Sequence, residues 1–270
     1  MDFTDETEYS LQRILYRLWS PLSTTKKQIG CAIFTFFIYT LLFNWKIALL
    51  LTVGVGFHEY SHLWAAKRMG LQTKGFFLVP FLGGVALVSE RYRNYAQQAF
   101  VVLAGPVGGG LLALTTAALY YVTGWPFLAA SAAWMCYLNL FNLLPLSFMD
   151  GGQLMGTITY SINRTLGMVC HAISAVIAVF VLWKFNPFLS GLVAIFSGIG
   201  VYSELKDWYY FRTGREYLCT ENYLYPPARS SRAQMMATVF GWILTAAILG
   251  YVSYLFMHQP DARLMTLLHY

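Results

Sequence analysis

Seven stretches of the chain are apolar and long enough to be read as membrane spans, near residues 28–44, 47–66, 96–122, 126–146, 166–184, 187–204 and 236–257. A helix needs ~20 such residues to cross a hydrocarbon slab about 30 Å thick. The sixth is closed early by Glu204 and Lys206. Residues 1–27 differ: Leu11, Ile14, Leu15 and Leu18 recur at helical spacing with Gln12, Arg13 and Arg17 opposite. That pattern predicts a short helix, lying on the membrane surface or packed on a loop, and it lacks the order of a secretory signal. Residues 75–89 (GFFLVPFLGGVALVS) are apolar but too short to span, and Pro80, Gly83 and Gly84 interrupt them. They predict a re-entrant hairpin of two extended strands, with a plain interfacial loop as the alternative. Irregular backbone is tolerated at membrane depth only where protein or a water-filled cavity covers it, so the hairpin implies a cavity beside it. The expected fold is an all-α polytopic membrane protein of about seven transmembrane helices with a short re-entrant β-hairpin near 75–89.

Charge sets the expected orientation. With the N-terminus in the cytoplasm, 15 of the 18 Lys and Arg fall on the cytoplasmic side, leaving Lys46, Lys184 and Arg263 outside. Such a bias fixes topology in multi-pass proteins. It divides the chain into a cytoplasmic N-terminal segment (1–27), a membrane domain (28–204) with a catalytic core at about 47–160, a cytoplasmic loop (205–235), a last span (236–257) and a non-cytoplasmic tail (258–270). The expected location is an integral multi-pass protein, in the cytoplasmic membrane if the source is a bacterium. Composition agrees: 57% of residues are hydrophobic and 11% charged, against roughly 25% charged in an average soluble domain. A soluble globular enzyme is excluded. The net charge of +6 is accounted for by loops on one side, so the expected partner is the lipid bilayer and not nucleic acid. The four cysteines form no CxxC pair and read as small buried hydrophobes.

The second span contains His58-Glu59-Tyr60-Ser61-His62. Residues four apart share a helix face, so the two imidazoles converge on one point while Glu59 points to the side. This is the HExxH arrangement of two zinc-binding histidines and a glutamate general base. His58 lies ~18 Å along its helix from Ile47 at 1.5 Å per residue, and so roughly 12 Å from the cytoplasmic face of a 30 Å core. An ionisable group at such depth is costly and marks function. Catalytic zinc takes three protein ligands, and Asp150 is the candidate third. It closes Asn142-Leu-Leu-Pro145-Leu-Ser-Phe-Met-Asp150-Gly151-Gly152, where the fourth span returns to the cytoplasmic side. Pro145 would break that helix, and the two glycines would let the backbone bend close to the metal. Zinc with ionised Asp150 and Glu59 sums to zero charge, which a low-dielectric site can hold. Two alternatives stay open. Glu204 could replace Asp150 as third ligand, or the site could serve a non-enzymatic metal transporter or scaffold.

The pairing of HExxH in one span with an NxxP…DGG segment two spans later resembles the site-2 protease family of intramembrane zinc metalloproteases (peptidase family M50). PFLGGVA (80–86) and LAGP (103–106) resemble that family's re-entrant loop and next core helix, so the likeness covers about 47–160. The resemblance implies a zinc-dependent metalloendopeptidase with one Zn2+ per chain, held by His58, His62 and Asp150, with Glu59 as general acid/base. It implies that Asn142 holds the substrate backbone or developing oxyanion. Because every amide of a transmembrane helix is bonded within the segment, a substrate must unwind. Gly83, Gly84 and Val85 of the hairpin are then expected to bind it as an added strand. Implied partners are a single-span membrane-protein or signal-peptide substrate and a regulatory membrane partner. Gly109 stands where the family commonly has asparagine.

Overall fold

The computed structural model describes residues 25–80, 83–88, 90, 92–146, 149–185, 187–213 and 227–258. Among them are eight helices and one hairpin: α1 (Thr25–Leu42), α2 (Trp45–Arg68), β1 (Thr73–Val79), β2 (Gly83–Val88), α3 (Tyr95–Thr123), α4 (Pro126–Asn142), α5 (Asp150–Ile162), α6 (Arg164–Phe185), α7 (Pro187–Thr213) and α8 (Arg232–Met257). The boundaries follow local chemistry. The Asn44 side chain accepts from Ile47 N–H at 2.9 Å to start α2, and Asn94 accepts from Gln97 N–H at 2.7 Å to start α3. These caps satisfy amides that have no intrahelical partner. Gly124, at φ 65°, ends α3, and Pro126 opens α4. Ser231 and Gln234 form a reciprocal capping box at the start of α8.

The centre of the molecule is a layer of small residues. Ala113, Ala117, Ala129, Ala130, Ala132 and Ala133 are buried together with Leu154, Leu249 and Phe256. Alanines let α3, α4 and α8 approach closely, which is how helices associate where no hydrophobic force draws them together. From α8, the Trp242 indole N–H donates to the Leu143 carbonyl at 2.9 Å, just past the end of α4. α6 packs between α5 and α7, and α1 packs against α2 and β1.

The hairpin is a two-stranded antiparallel sheet with Phe76 opposite Ala86, Phe77 opposite Val85 and Leu78 opposite Gly84. The expected pair of extended strands is therefore present. β1 is also held from outside the sheet: Thr35 Oγ1 donates to the Leu78 carbonyl at 3.1 Å, and Gln28 Nε2 donates to the Lys74 carbonyl at 2.7 Å.

Three departures from the sequence reading have physical causes. The fourth span was expected to reach residue 146, but α4 stops at Asn142 and Asp150 opens a separate helix, α5, which the pattern of long apolar runs does not reveal. Gly151 and Gly152, expected to bend the chain, are helical. A β-carbon on Gly151 would strike the carbonyl oxygens of Leu143 and Leu144, so this glycine lets α5 press against the end of α4. The loop expected from residue 205 begins later, because α7 continues to Thr213. Glu204 and Lys206 end the apolar run without ending the helix, since both are good helix formers. Residues 1–24, with the expected surface helix, and 259–270 of the tail lie outside the described residues. Among the described residues, α3, α6 and α8 are long and apolar enough to cross a membrane.

Candidate metal centre

α2 presents His58 and His62 one turn apart, with ring centroids 4.7 Å apart and planes nearly perpendicular at 81°. Their Nε2 atoms lie 3.0 Å from each other. Asp150, the first residue of α5, completes the group: Oδ2 lies 3.0 Å from His58 Nε2 and Oδ1 lies 3.5 Å from His62 Nε2. All three side chains are buried. One ligand atom from each fits within 4.8 Å of the others. Asp150 is not a helix cap, because Met149 holds that position and makes no side-chain capping bond.

The far side of each ring decides what these atoms can do. Asn139 Nδ2 donates to the Met135 carbonyl at 2.7 Å, which turns Asn139 Oδ1 towards His58 Nδ1 at 2.8 Å. The Val101 carbonyl lies 2.8 Å from His62 Nδ1. Both oxygens only accept, so each imidazole, when neutral, carries its proton on Nδ1 and presents a bare Nε2. Two nitrogen lone pairs and a carboxylate then face one another in a buried space. Asp150 Oδ2 has no hydrogen-bond donor there. Lone pairs converging without a proton between them are satisfied by a cation. Two imidazoles and one carboxylate form the donor set of a catalytic zinc site, and the outward bonds to Asn139 and Val101 fix ring orientation as such sites require.

Two glycines make room. A β-carbon on Gly105 of α3 would strike the ring nitrogens of His62 and His58. One on Gly84 of β2 would strike the Glu59 carboxylate. Glu59 is buried beside the triad, against the hairpin, and accepts a hydrogen bond from the Ala86 backbone amide. At the rim, Tyr92 packs over Ala65, Ala66 and Val101. Burial, joined by the negative charge of Asp150, pushes its phenol up to about 12, so it stays protonated at neutral pH.

Sequence reasoning placed His58, Glu59, His62 and Asp150 together, and the structure brings them together. Gly83, Gly84 and Val85 lie on β2, with Gly84 against Glu59. Asn142 sits half-buried at the end of α4 and makes no hydrogen bond to the triad. Asn139, three residues earlier, is the residue the sequence reading missed. An amide inside the apolar run YLNLF was the signal that could have found it. It also accounts for Gly109, since a β-carbon there would strike the Asn139 amide. Glu204 lies on α7, with its side chain outside the described set.

Residues 46–133 match the model of peptidase family M50. The match takes in about a third of the chain, and it is this segment that is similar to peptidase family M50. The M50 segment holds α2, the hairpin, α3 and the first part of α4, and so includes His58, Glu59 and His62 but ends before Asn139 and Asp150. The chain is also 30% identical over 115 residues to a zinc metalloprotease of Methanocaldococcus jannaschii, MJ0392. That alignment takes in 41% of this chain and 33% of the relative, so the chain spans about a third of the relative's length.

Proposed function

We propose that this protein is an intramembrane zinc metalloprotease that cleaves transmembrane segments of membrane proteins or signal-peptide remnants. The observation that carries the reading is the buried convergence of His58 Nε2, His62 Nε2 and the Asp150 carboxylate beside Glu59. A zinc ion held by those three residues supplies Lewis acidity, polarising a peptide carbonyl and acidifying water. Glu59 takes the proton from the attacking water and delivers it to the departing amide nitrogen. Asn139 and the Val101 carbonyl hold a ring proton on each Nδ1, so that Nε2 is the nitrogen offered to the metal.

The substrate adds as a strand to the outer edge of β2. In an antiparallel pair, neighbouring residues alternate in pointing their N–H and C=O towards the partner strand and away from it. The Leu78 carbonyl points away from β2, to Thr35, and its opposite number is Gly84. Gly84 and Ala86 therefore point away from β1, in keeping with the Ala86 bond to Glu59. That edge offers backbone groups to an unwound segment beside the general base. Asn142 contacts the bound segment by resemblance to the family alone. α1, α2, α3, α4, α6, α7 and α8 serve as seven spans, with the N-terminus cytoplasmic, one zinc per chain and a membrane partner regulating access.

The test compares membrane proteomes of cells carrying the native protein or Glu59→Gln. Single-span fragments should accumulate only with Glu59→Gln, while purified Glu59→Gln keeps its zinc. Identical fragment profiles would overturn the proposal.

A further inference from the structure

We infer that Thr35 and Gln28 are positioning residues for peptide cleavage: from α1 they fix the hairpin so that the outer edge of β2 lies beside Glu59. The inference rests on the strand-addition reading above and extends it to a helix outside the M50 segment.

Most helical threonines in this protein turn their hydroxyls back onto their own helix. Thr40, Thr115, Thr116, Thr123, Thr238 and Thr245 each donate to the carbonyl four residues earlier. Thr35 does not. It is 2% exposed and donates across to the Leu78 carbonyl on β1. α1 is otherwise largely exposed, with only Thr35 and Tyr39 buried on it. One turn from its start, Gln28 reaches the Lys74 carbonyl at 2.7 Å. Gly75, at φ 96°, leaves that carboxamide the space it occupies, since a β-carbon there would strike it.

The two bonds fall on carbonyls at Lys74 and Leu78, four residues apart along the outer edge of β1. Two anchors on one strand set both its position and its direction, where a single one would leave it free to pivot. β1 is paired to β2 without a break from Gly75 to Val79, with an irregularity at Lys74, so whatever fixes β1 fixes Gly84 and Ala86 against Glu59. The outer edge of β1 is taken by α1, and β2 keeps the edge that a substrate can use. Neither side chain touches the reacting atoms. Their effect is on alignment, where a displacement of about 1 Å can cost a hundredfold in rate.

The probe is the single-span fragment that accumulates with Glu59→Gln, reconstituted with the full chain in phosphatidylcholine–phosphatidylglycerol vesicles. Thr35→Val keeps the side-chain shape and removes the donor, Gln28→Met does the same, and Thr35→Ser restores a hydroxyl. The double variant Thr35→Val/Gln28→Met should lower kcat by roughly tenfold to a hundredfold, with KM and bound zinc unchanged, and Ser at position 35 should recover most of the loss. The inference is overturned if the double variant turns over at the native rate, if the loss lies in KM or zinc content, or if Thr35→Ser behaves like Thr35→Val. If Glu59→Gln cleaves as fast as the native protein, the proteolytic reading itself fails. If Glu59→Gln is inactive while the α1 variants match the native enzyme, only the role of α1 fails.

Discussion

An asparagine decides which nitrogen of His58 faces the metal position. Replacing Asn139 by leucine removes the acceptor at Nδ1 and lets the proton move to Nε2. Zinc affinity is expected to fall about 10- to 100-fold, as for other groups that orient a ligating histidine, measured by competition with a chromophoric chelator. Asn142→Leu, by contrast, should leave zinc affinity unchanged. Gly84→Ala places a methyl against the Glu59 carboxylate and should lower turnover while zinc is retained. His58, Glu59 and His62 were legible in the sequence because one helix turn carries them all, and a helical repeat needs no knowledge of the rest of the fold. Asp150 was legible through its setting near the end of a neighbouring span. Asn139 was not, because its role depends on how α4 rotates against α2, and rotation is set by packing across the Gly109 contact, not by spacing along the chain.

The same contrast holds for whole elements. The hairpin could be read from a short apolar run broken by proline and glycines, since turn residues act locally. Its attachment to α1 could not, because Thr35 and Leu78 are 43 residues apart. α5 was invisible for a different reason. Its thirteen residues are too few to span a bilayer, and a search for long apolar runs passes over a short helix bounded by a turn. The limits of α8 show how much local chemistry can carry. Ser231→Ala removes the capping hydroxyl at the head of that helix and is expected to cost about 1 kcal/mol, measured as reduced resistance to unfolding in mixed micelles. Gln234→Ala should cost less, because the Ser231 bond to the Gln234 amide survives.

Across the whole molecule the packing divides into a tight centre and a looser flank. α2, α3, α4, α5 and α8 share one small-residue core, whereas α6 and α7 bury a smaller cluster around Ala178 and Val193. Filling the centre is expected to be far less tolerated than altering the flank. Ala132→Leu, at a fully buried position between helices, should destabilise by about 1–3 kcal/mol, whereas Val176→Leu, well exposed on α6, should be neutral when the two are compared by thermal inactivation. Composition announced a membrane protein at once, since the apolar excess is a property of the whole chain. Which helices form the centre was hidden, because Ala, Gly and Ser are ordinary in any apolar run and become informative only when they face one another.

The indole of Trp242 reaches from α8 to the carbonyl of Leu143, at the elbow that delivers Asp150. An order of assembly follows from this. Both histidines leave the ribosome long before that brace exists, so a nascent chain has two ligands ready while the third still awaits its support. If the proposed reading holds, a chain truncated before Arg232 is expected to enter the membrane without retaining stoichiometric zinc.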